Sequence, residues 1–596
     1  MDIFKMCSYC GSENKNPTER SVHAQANCEL ALRLFTNEGK DLLCHDPIRK
    51  TIALLQEGKI IAIKGLGGFH LTCDAQNQEV IKLLRERKNR PHKPFAVMVG
   101  EIEAAKKVCF MDEIEEEILI SKRRPIVLLE KKENSILPNL VAPNMKRLGI
   151  MLPYTPLHYL LFQKGIFSLV VTSANRSSSP IEYEDLQAIK NLGMIADYFL
   201  IHNRKIPFPM EDSVVKVVKR REVVVRKARG YTPSIMPLEA DFEILALGAE
   251  EKSTFCLTQR NNIFMSQYLG DLKNYDTYLI YEKAIKKITD QLGFIPEIRV
   301  HDLNGSYLST HYAQHQIGRK VAVQHHHAHM ASCMVEHNLF TPTIGVIFDG
   351  TGLGTDGKIW GGEFFVGTRK SFFRAGHFRY VTIQGGDQAI REPWRIAASY
   401  LHSLNCEYSN IFSEIDKASL KTVKQALDKN LNCYQTSSVG RLFDCVAALL
   451  KIRQRITYDA QAAIELENIL DPSIEEGYPF YIEKQNQIYQ IDYREMLFSI
   501  LKDINSGLSP AWISAKFHNT IGNATADLVM RIGERYGLKK VVLSGGVFEN
   551  SYLLCQIIEK LEERDFAVYF NQQIPTNDSG ISVGQLAIVA AKEERA

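Results

Sequence analysis

Two junctions between a strand and a glycine turn constrain the C-terminal part of this 596-residue chain more than any other feature. Residues 343–348 are read as a buried strand. It leads into Asp349-Gly350-Thr351-Gly352-Leu353-Gly354, and a second strand follows over residues 359–366. Far downstream, a strand over residues 539–543 runs into Ser544-Gly545-Gly546-Val547-Phe548-Glu549-Asn550, and a helix follows. Without side chains at Gly545 and Gly546 a ligand can approach the backbone, and the first amides of the helix face an anion. Gly545, Gly546 and Asn550 therefore form one candidate phosphate loop, and Gly350, Thr351 and Gly352 a second one on a facing lobe.

The chain divides into three blocks. Residues 1–40 are polar and too short to build a core unaided. Residues 46–237 alternate strand-like runs (60–64, 94–99, 126–129, 168–172, 214–218 and 222–225) with helical stretches over 48–57 and 78–88. This pattern predicts a mixed α/β domain on one twisted sheet. Gly230-Tyr231-Thr232-Pro233 and Pro237 mark a linker. Residues 242–596 open with three short strands and a helix over 275–292, become mainly helical over 393–536, and are read as two lobes. The predicted fold class is α/β multidomain, and a nucleotide cleft between two lobes is the layout of actin-like ATPases.

No apolar run reaches the roughly 18 residues of a membrane span, and the N-terminus lacks the order of a secretory signal. These features predict a cytoplasmic protein with no membrane partner. Lys and Arg number 72 against 69 Asp and Glu, a balance that argues against nucleic acid as a partner. Residues 82–93 and 216–229 nevertheless concentrate positive charge, which suits either a polyanion or a solvated face. Cys7, Cys10 and Cys28 resemble part of a four-cysteine zinc site. The expected fourth ligand position holds Ala31, with His23 as a candidate substitute, so both a structural zinc and a relic remain open.

Three further motifs carry chemistry. Lys64-Gly65-Leu66-Gly67-Gly68-Phe69-His70 follows a strand, so Gly67 and Gly68 are expected to admit a ligand beside the cation of Lys64. Lys88, Arg90 and their neighbours add a cationic rim, and Ser173 and Asn175 sit at the carboxyl end of an apolar strand, where ligands of open α/β sheets bind. Together they form a candidate triphosphate pocket with Lys64, Lys88, Arg90, Ser173 and Asn175 as its catalytic set. In Gln324-His325-His326-His327-Ala328-His329, a helix places His325 and His329 one turn apart on one face, with His326 and His327 directed elsewhere. Asp349 and Asp578 complete a candidate metal site that suits iron, zinc or manganese.

These motifs resemble the HypF family, carbamoyltransferases of nickel–iron hydrogenase maturation. Residues 64–94, Leu148-Gly149-Ile150-Met151-Leu152-Pro153-Tyr154-Thr155-Pro156-Leu157-His158 and Thr172-Ser173-Ala174-Asn175 are similar to its YrdC-like domain. The histidine run, Arg391-Glu392-Pro393-Trp394-Arg395, Gly440-Arg441-Leu442-Phe443-Asp444, residues 458–467 and Lys516-Phe517-His518-Asn519-Thr520 are similar to its TsaD-like domain. The resemblance implies ATP with Mg2+, carbamoyl phosphate or carbamate as donor, a carbamoyl adenylate intermediate, and the C-terminal cysteine of HypE as acceptor. The last step is the route to the cyanide ligands of the hydrogenase.

Two departures stand out. The sequence starts inside the zinc-finger region, so the family's acylphosphatase domain is expected to be missing and a separate acylphosphatase to be a partner. Asp302-Leu303-Asn304-Gly305 replaces the usual Asp-Leu-His-Pro. The alternatives are a fused enzyme of threonylcarbamoyl-adenosine synthesis on tRNA, and a decayed HypF that only docks HypE.

Overall fold

The computed structural model describes residues 31–162, 165–176, 179–407 and 411–593. Cys7, Cys10, His23 and Cys28 lie outside the described residues. Ten strands form the first sheet, in the order Leu32–Thr36, Tyr198–His202, Ile61–Lys64, Phe69–Asp74, Ser168–Ser173, Ala96–Val99, Arg147–Met151, Ile126–Glu130, Val214–Val218 and Arg221–Arg226. The sheet is mixed: Ile61–Lys64 runs antiparallel to Phe69–Asp74 and parallel to Tyr198–His202. Its strands carry apolar residues on both faces because both are covered. Ile61 and Ile63 pack with Leu54 and Leu55 of the helix Pro47–Gln56, while Ala62 packs with Val80, Ile81 and Leu84 of the helix Gln78–Lys88. Leu32–Thr36, which lies in the polar N-terminal block of the sequence, is an edge strand of this sheet.

Two further sheets follow. Six strands are ordered Ser234–Pro237, Asn262–Met265, Cys256–Gln259, Ile244–Ala246, Ile298–Asp302 and Arg319–Val323. The main path of the next sheet runs Tyr481–Gln485, Ile488–Asp492, Phe372–Phe378, Ile359–Gly367, Thr343–Leu353, Lys540–Ser544 and Ala567–Phe570. The first lobe buries the helices His325–Glu336 and Ile581–Glu593 against its sheet. These helices cross so closely that a Cβ on Gly584 would stand 1.8 Å from the Ala328 carbonyl oxygen. Among the described residues no helix is long and apolar enough to cross a membrane.

Three sequence readings change. The glycine run after Asp349 is part of the long strand Thr343–Leu353, with a bulge between Phe348 and Gly352, because Gly352 and Leu353 pair with Trp360 and Ile359. The largely helical stretch 393–536 contains the strands Cys433–Thr436, Tyr481–Gln485 and Ile488–Asp492, whose short, mostly polar segments lack apolar alternation. The basic run 216–229 lies at a junction. Lys216 Nζ donates to Ser551 Oγ (3.0 Å), Lys227 Nζ to the Gln573 carbonyl (2.9 Å), and Val224 N to the Gln572 carbonyl (2.7 Å). Lys216 and Lys227 are buried, so these cations fasten the first sheet to the last lobe.

Candidate active site

The strand Ser168–Ser173 and the helix Gln78–Lys88 converge on the first pocket. Lys88 Nζ donates to the carbonyls of Ser173 (2.7 Å) and Asn175 (2.9 Å) and to Asn175 Oδ1 (2.6 Å). All three ammonium protons are thus spent on the Ser173–Asn175 loop, so Lys88 shapes the pocket. Ser173 Oγ donates to Asn175 Oδ1 (3.3 Å), and Arg90 Nη1 donates to Thr172 Oγ1 (3.0 Å). Burial, and next the Arg90 charge, pull the Lys88 ammonium down to about 7.

Lys64 is placed elsewhere. Its Nζ pairs with Asp185 Oδ1 at 2.6 Å and donates to the His202 carbonyl, so the nearby carboxylate claims the charge assigned to phosphate. Gly67 and Gly68 are closely packed. A Cβ on Gly67 would meet the Met210 carbonyl oxygen at 2.2 Å, and one on Gly68 the Ile181 side chain at 2.7 Å. These glycines admit neighbouring chain segments.

The second cluster is built where the helix His325–Glu336 starts, capped by Gln324, whose side chain accepts from His327 N. His325 Nε2 stands 3.5 Å from Asp349 Oδ2 and 3.7 Å from Asp578 Oδ1, and His329 Nε2 stands 4.0 and 3.8 Å from the same atoms. Ligand atoms of all four residues lie within 4.8 Å of one another. Such spacings suit ligands around one ion bonded at roughly 2 Å. Both Nε2 atoms are buried without a hydrogen-bond partner, an arrangement that is costly unless something binds there. Burial draws His329 down to about 4, leaving it neutral and ready to coordinate. His326 and His327 turn away, toward Gln324 and the Thr368 carbonyl.

Of the candidate phosphate loops, Gly546 N donates to Asp349 Oδ1 at 3.2 Å, and a Cβ on Gly545 (φ +105°) would strike the Phe348 carbonyl. Asn550 caps the helix Ser551–Glu562 and meets His518 Nε2 at 2.9 Å. Gly352 packs against the histidines: a Cβ there would stand 2.4 Å from His326 Cε1. Gly350 and Thr351 stay at the bulge, beside Asp349.

Several residues join these sites without having been singled out. Asp302 Oδ2 accepts from His325 Nδ1 (2.8 Å), and Lys252 Nζ pairs with Asp459 Oδ2 (2.6 Å). Asp459 is held below its usual range first by Lys252 and further by Arg441 and Lys93. It therefore feels cations of both clusters. Its side chain keeps 57 % exposure, and His92 of the cationic rim touches Thr457 Oγ1 (3.3 Å). Residues 457–459 thus lie between His92 of the first domain and Lys252. Lys93 and Tyr458-Asp459 were visible only as members of runs, because nothing in a sequence shows which segment of another domain lies opposite.

A model described as "Carbamoyltransferase, Kae1-like Domain, second subdomain" matches residues 345–585, "HypF Kae1-like domain" matches 239–336, and "Telomere recombination" matches 53–228. A Synechocystis sp. protein named "Carbamoyltransferase HypF" is 37 % identical over 553 residues, 89 % of this chain and 71 % of the relative. A crystal structure of full-length HypF in the phosphate- and nucleotide-bound form aligns with a TM-score of 0.95 at 41 % identity, covering 100 % of this chain and 79 % of that one. The crystal structure of T. kodakarensis HypF aligns at 0.91 with 33 % identity, covering 98 % and 79 %.

Proposed function

The chain belongs to the HypF carbamoyltransferase family, and from that premise we propose that it forms carbamoyl adenylate from ATP and carries the carbamoyl group to the C-terminal cysteine of HypE. In the first pocket a carbamate oxygen attacks the α-phosphorus, the bond to the bridging oxygen breaks, and pyrophosphate leaves with the electron pair. Arg90 and Lys93 offset the negative charge that gathers in that step, Lys88 holds the Ser173–Asn175 loop in place, and the loop's hydroxyl and amide orient the phosphates. In the second cluster a thiolate attacks the carbamoyl carbon, the bond to the adenylate oxygen breaks, and AMP departs. His325, His329, Asp349 and Asp578 would hold a divalent metal, which when bound would supply Lewis-acid polarisation of a carbonyl. Gly546, Gly350 and Thr351 line the space proposed for a nucleotide beside that cluster, and Gly545 lets the loop pack against Phe348. The position of residues 457–459 between His92 and Lys252 supports passage of the intermediate within the protein. Carbamoyl phosphate as the source of carbamate is part of the same reading, as is delivery of the product toward hydrogenase cyanide ligands.

The observation that carries this reading is the coexistence in one chain of a cationic Ser/Asn pocket and a buried two-histidine, two-aspartate cluster. Mass spectrometry of the HypE C-terminal peptide tests it after incubation with ATP, carbamoyl phosphate and an acylphosphatase. A carbamoyl mass gain that requires ATP is expected. A reaction that instead consumes threonine and labels tRNA contradicts the proposal.

A further inference from the structure

The helix Val439–Leu449 begins against the bulge that follows Asp349. Ser438 caps it and donates its Oγ to the Asp349 carbonyl (2.7 Å). Gly440 faces Gly350 so closely that a Cβ on Gly440 would stand 3.0 Å from the Gly350 Cα. Arg441 follows, in the first turn, and is 8 % exposed. Its Nη2 pairs with Asp444 Oδ2 at 3.0 Å, whereas Nε and Nη1 are buried with no hydrogen-bond partner among the described residues. Those two atoms carry three of the five guanidinium N–H donors. Leaving charged donors buried and unmet costs more than leaving neutral ones, so the arrangement calls for an acceptor that the chain itself does not provide. The guanidinium also lies against the bulge, since a Cβ on Gly350 would stand 3.4 Å from Nη2.

We infer that Arg441 is the phosphate-binding residue of the second cleft, taking an oxygen of a nucleoside monophosphate beside the His325/His329/Asp349/Asp578 cluster. Three observations converge on a phosphate. The free donors belong to a guanidinium, whose planar fork matches the oxygens of a phosphate. They sit at the amino end of a helix, whose amides and dipole favour an anion. They adjoin Gly350, one residue from a cluster aspartate, where a phosphate can face cation and metal together. Arg441 would then hold the AMP part of the intermediate while the carbamoyl carbon is attacked, and release it afterwards as AMP. This inference rests on the nucleotide reading of the cleft given above.

Calorimetric titration of the full chain with AMP and with adenosine tests it, in an Asn175→Ala background that weakens the first pocket. The parent is expected to bind AMP more tightly than adenosine. Arg441→Gln is expected to weaken AMP about 10–100-fold, the range of a charge-assisted hydrogen bond, and to leave adenosine unchanged. Arg441→Lys is expected to recover part of the loss. A fold defect would weaken both ligands, so equal losses overturn the phosphate role, as does an AMP affinity untouched by Arg441→Gln. If the parent prefers neither ligand, the nucleotide reading of the cleft fails, and the role of Arg441 falls with it.

Discussion

The hydrogen bond between His325 Nδ1 and Asp302 fixes which ring nitrogen of His325 is left to bind a metal. With Nδ1–H donated to the carboxylate, Nε2 keeps its lone pair toward Asp349 and Asp578. Asp302→Asn can present an N–H where an acceptor is needed, so metal affinity is expected to fall roughly 10–100-fold. Competition against a chromogenic chelator reads this directly, and unchanged affinity would show that Asp302 does not orient the ring. Lys88 sets a pH dependence. Its ammonium is lowered to about 7 by burial and the neighbouring Arg90, so it is charged below that pH and neutral above it. As the pH rises from 6 to 9 the first pocket loses positive charge at Lys88. The kcat/KM for ATP is expected to fall, approaching about tenfold per pH unit. A flat profile over that range would contradict the assignment.

The cluster of His325, His329, Asp349 and Asp578 depends on how the helices His325–Glu336 and Ile581–Glu593 cross. Gly584→Ala drives a methyl into the Ala328 carbonyl, and overpacking of this kind costs about 1–3 kcal/mol. A calorimetric midpoint lowered by roughly 5 °C, together with reduced metal content, is the expected result; an unchanged midpoint would mean the crossing yields easily. Much of this element scale was legible in the sequence. The helices Gln78–Lys88 and Tyr275–Leu292 coincide with the stretches read as helical, and the one-turn spacing of His325 and His329 placed both rings on one face, as they stand on the capped helix. Other features were hidden because their cause is tertiary. Lys64 finds Asp185, a carboxylate more than a hundred positions away. Gly67, Gly68 and Gly352 look like ligand-facing glycines, yet their missing side chains make room for Met210, Ile181 and His326.

Across the whole molecule, the run at 216–229 shows how a charge cluster takes its meaning from what lies opposite. Lys216 is buried between the first sheet and the last lobe, bonded to Ser551 Oγ and the Glu549 carbonyl. Lys216→Ala leaves those acceptors short of a donor and is expected to cost about 1–3 kcal/mol. The loss is expected to appear as an earlier unfolding transition of the junction in calorimetry; an unaltered trace would mean that the other contacts suffice.

Two chemically distinct clusters imply that the two half-reactions can be separated by mutation. Isotope exchange between pyrophosphate and ATP, in the presence of carbamoyl phosphate and an acylphosphatase, reports the first half-reaction alone. The expected result is that His329→Ala keeps the exchange yet transfers no carbamoyl group to a thiol acceptor, while Asn175→Ala loses both. Exchange abolished by His329→Ala and preserved by Asn175→Ala would contradict the division of labour.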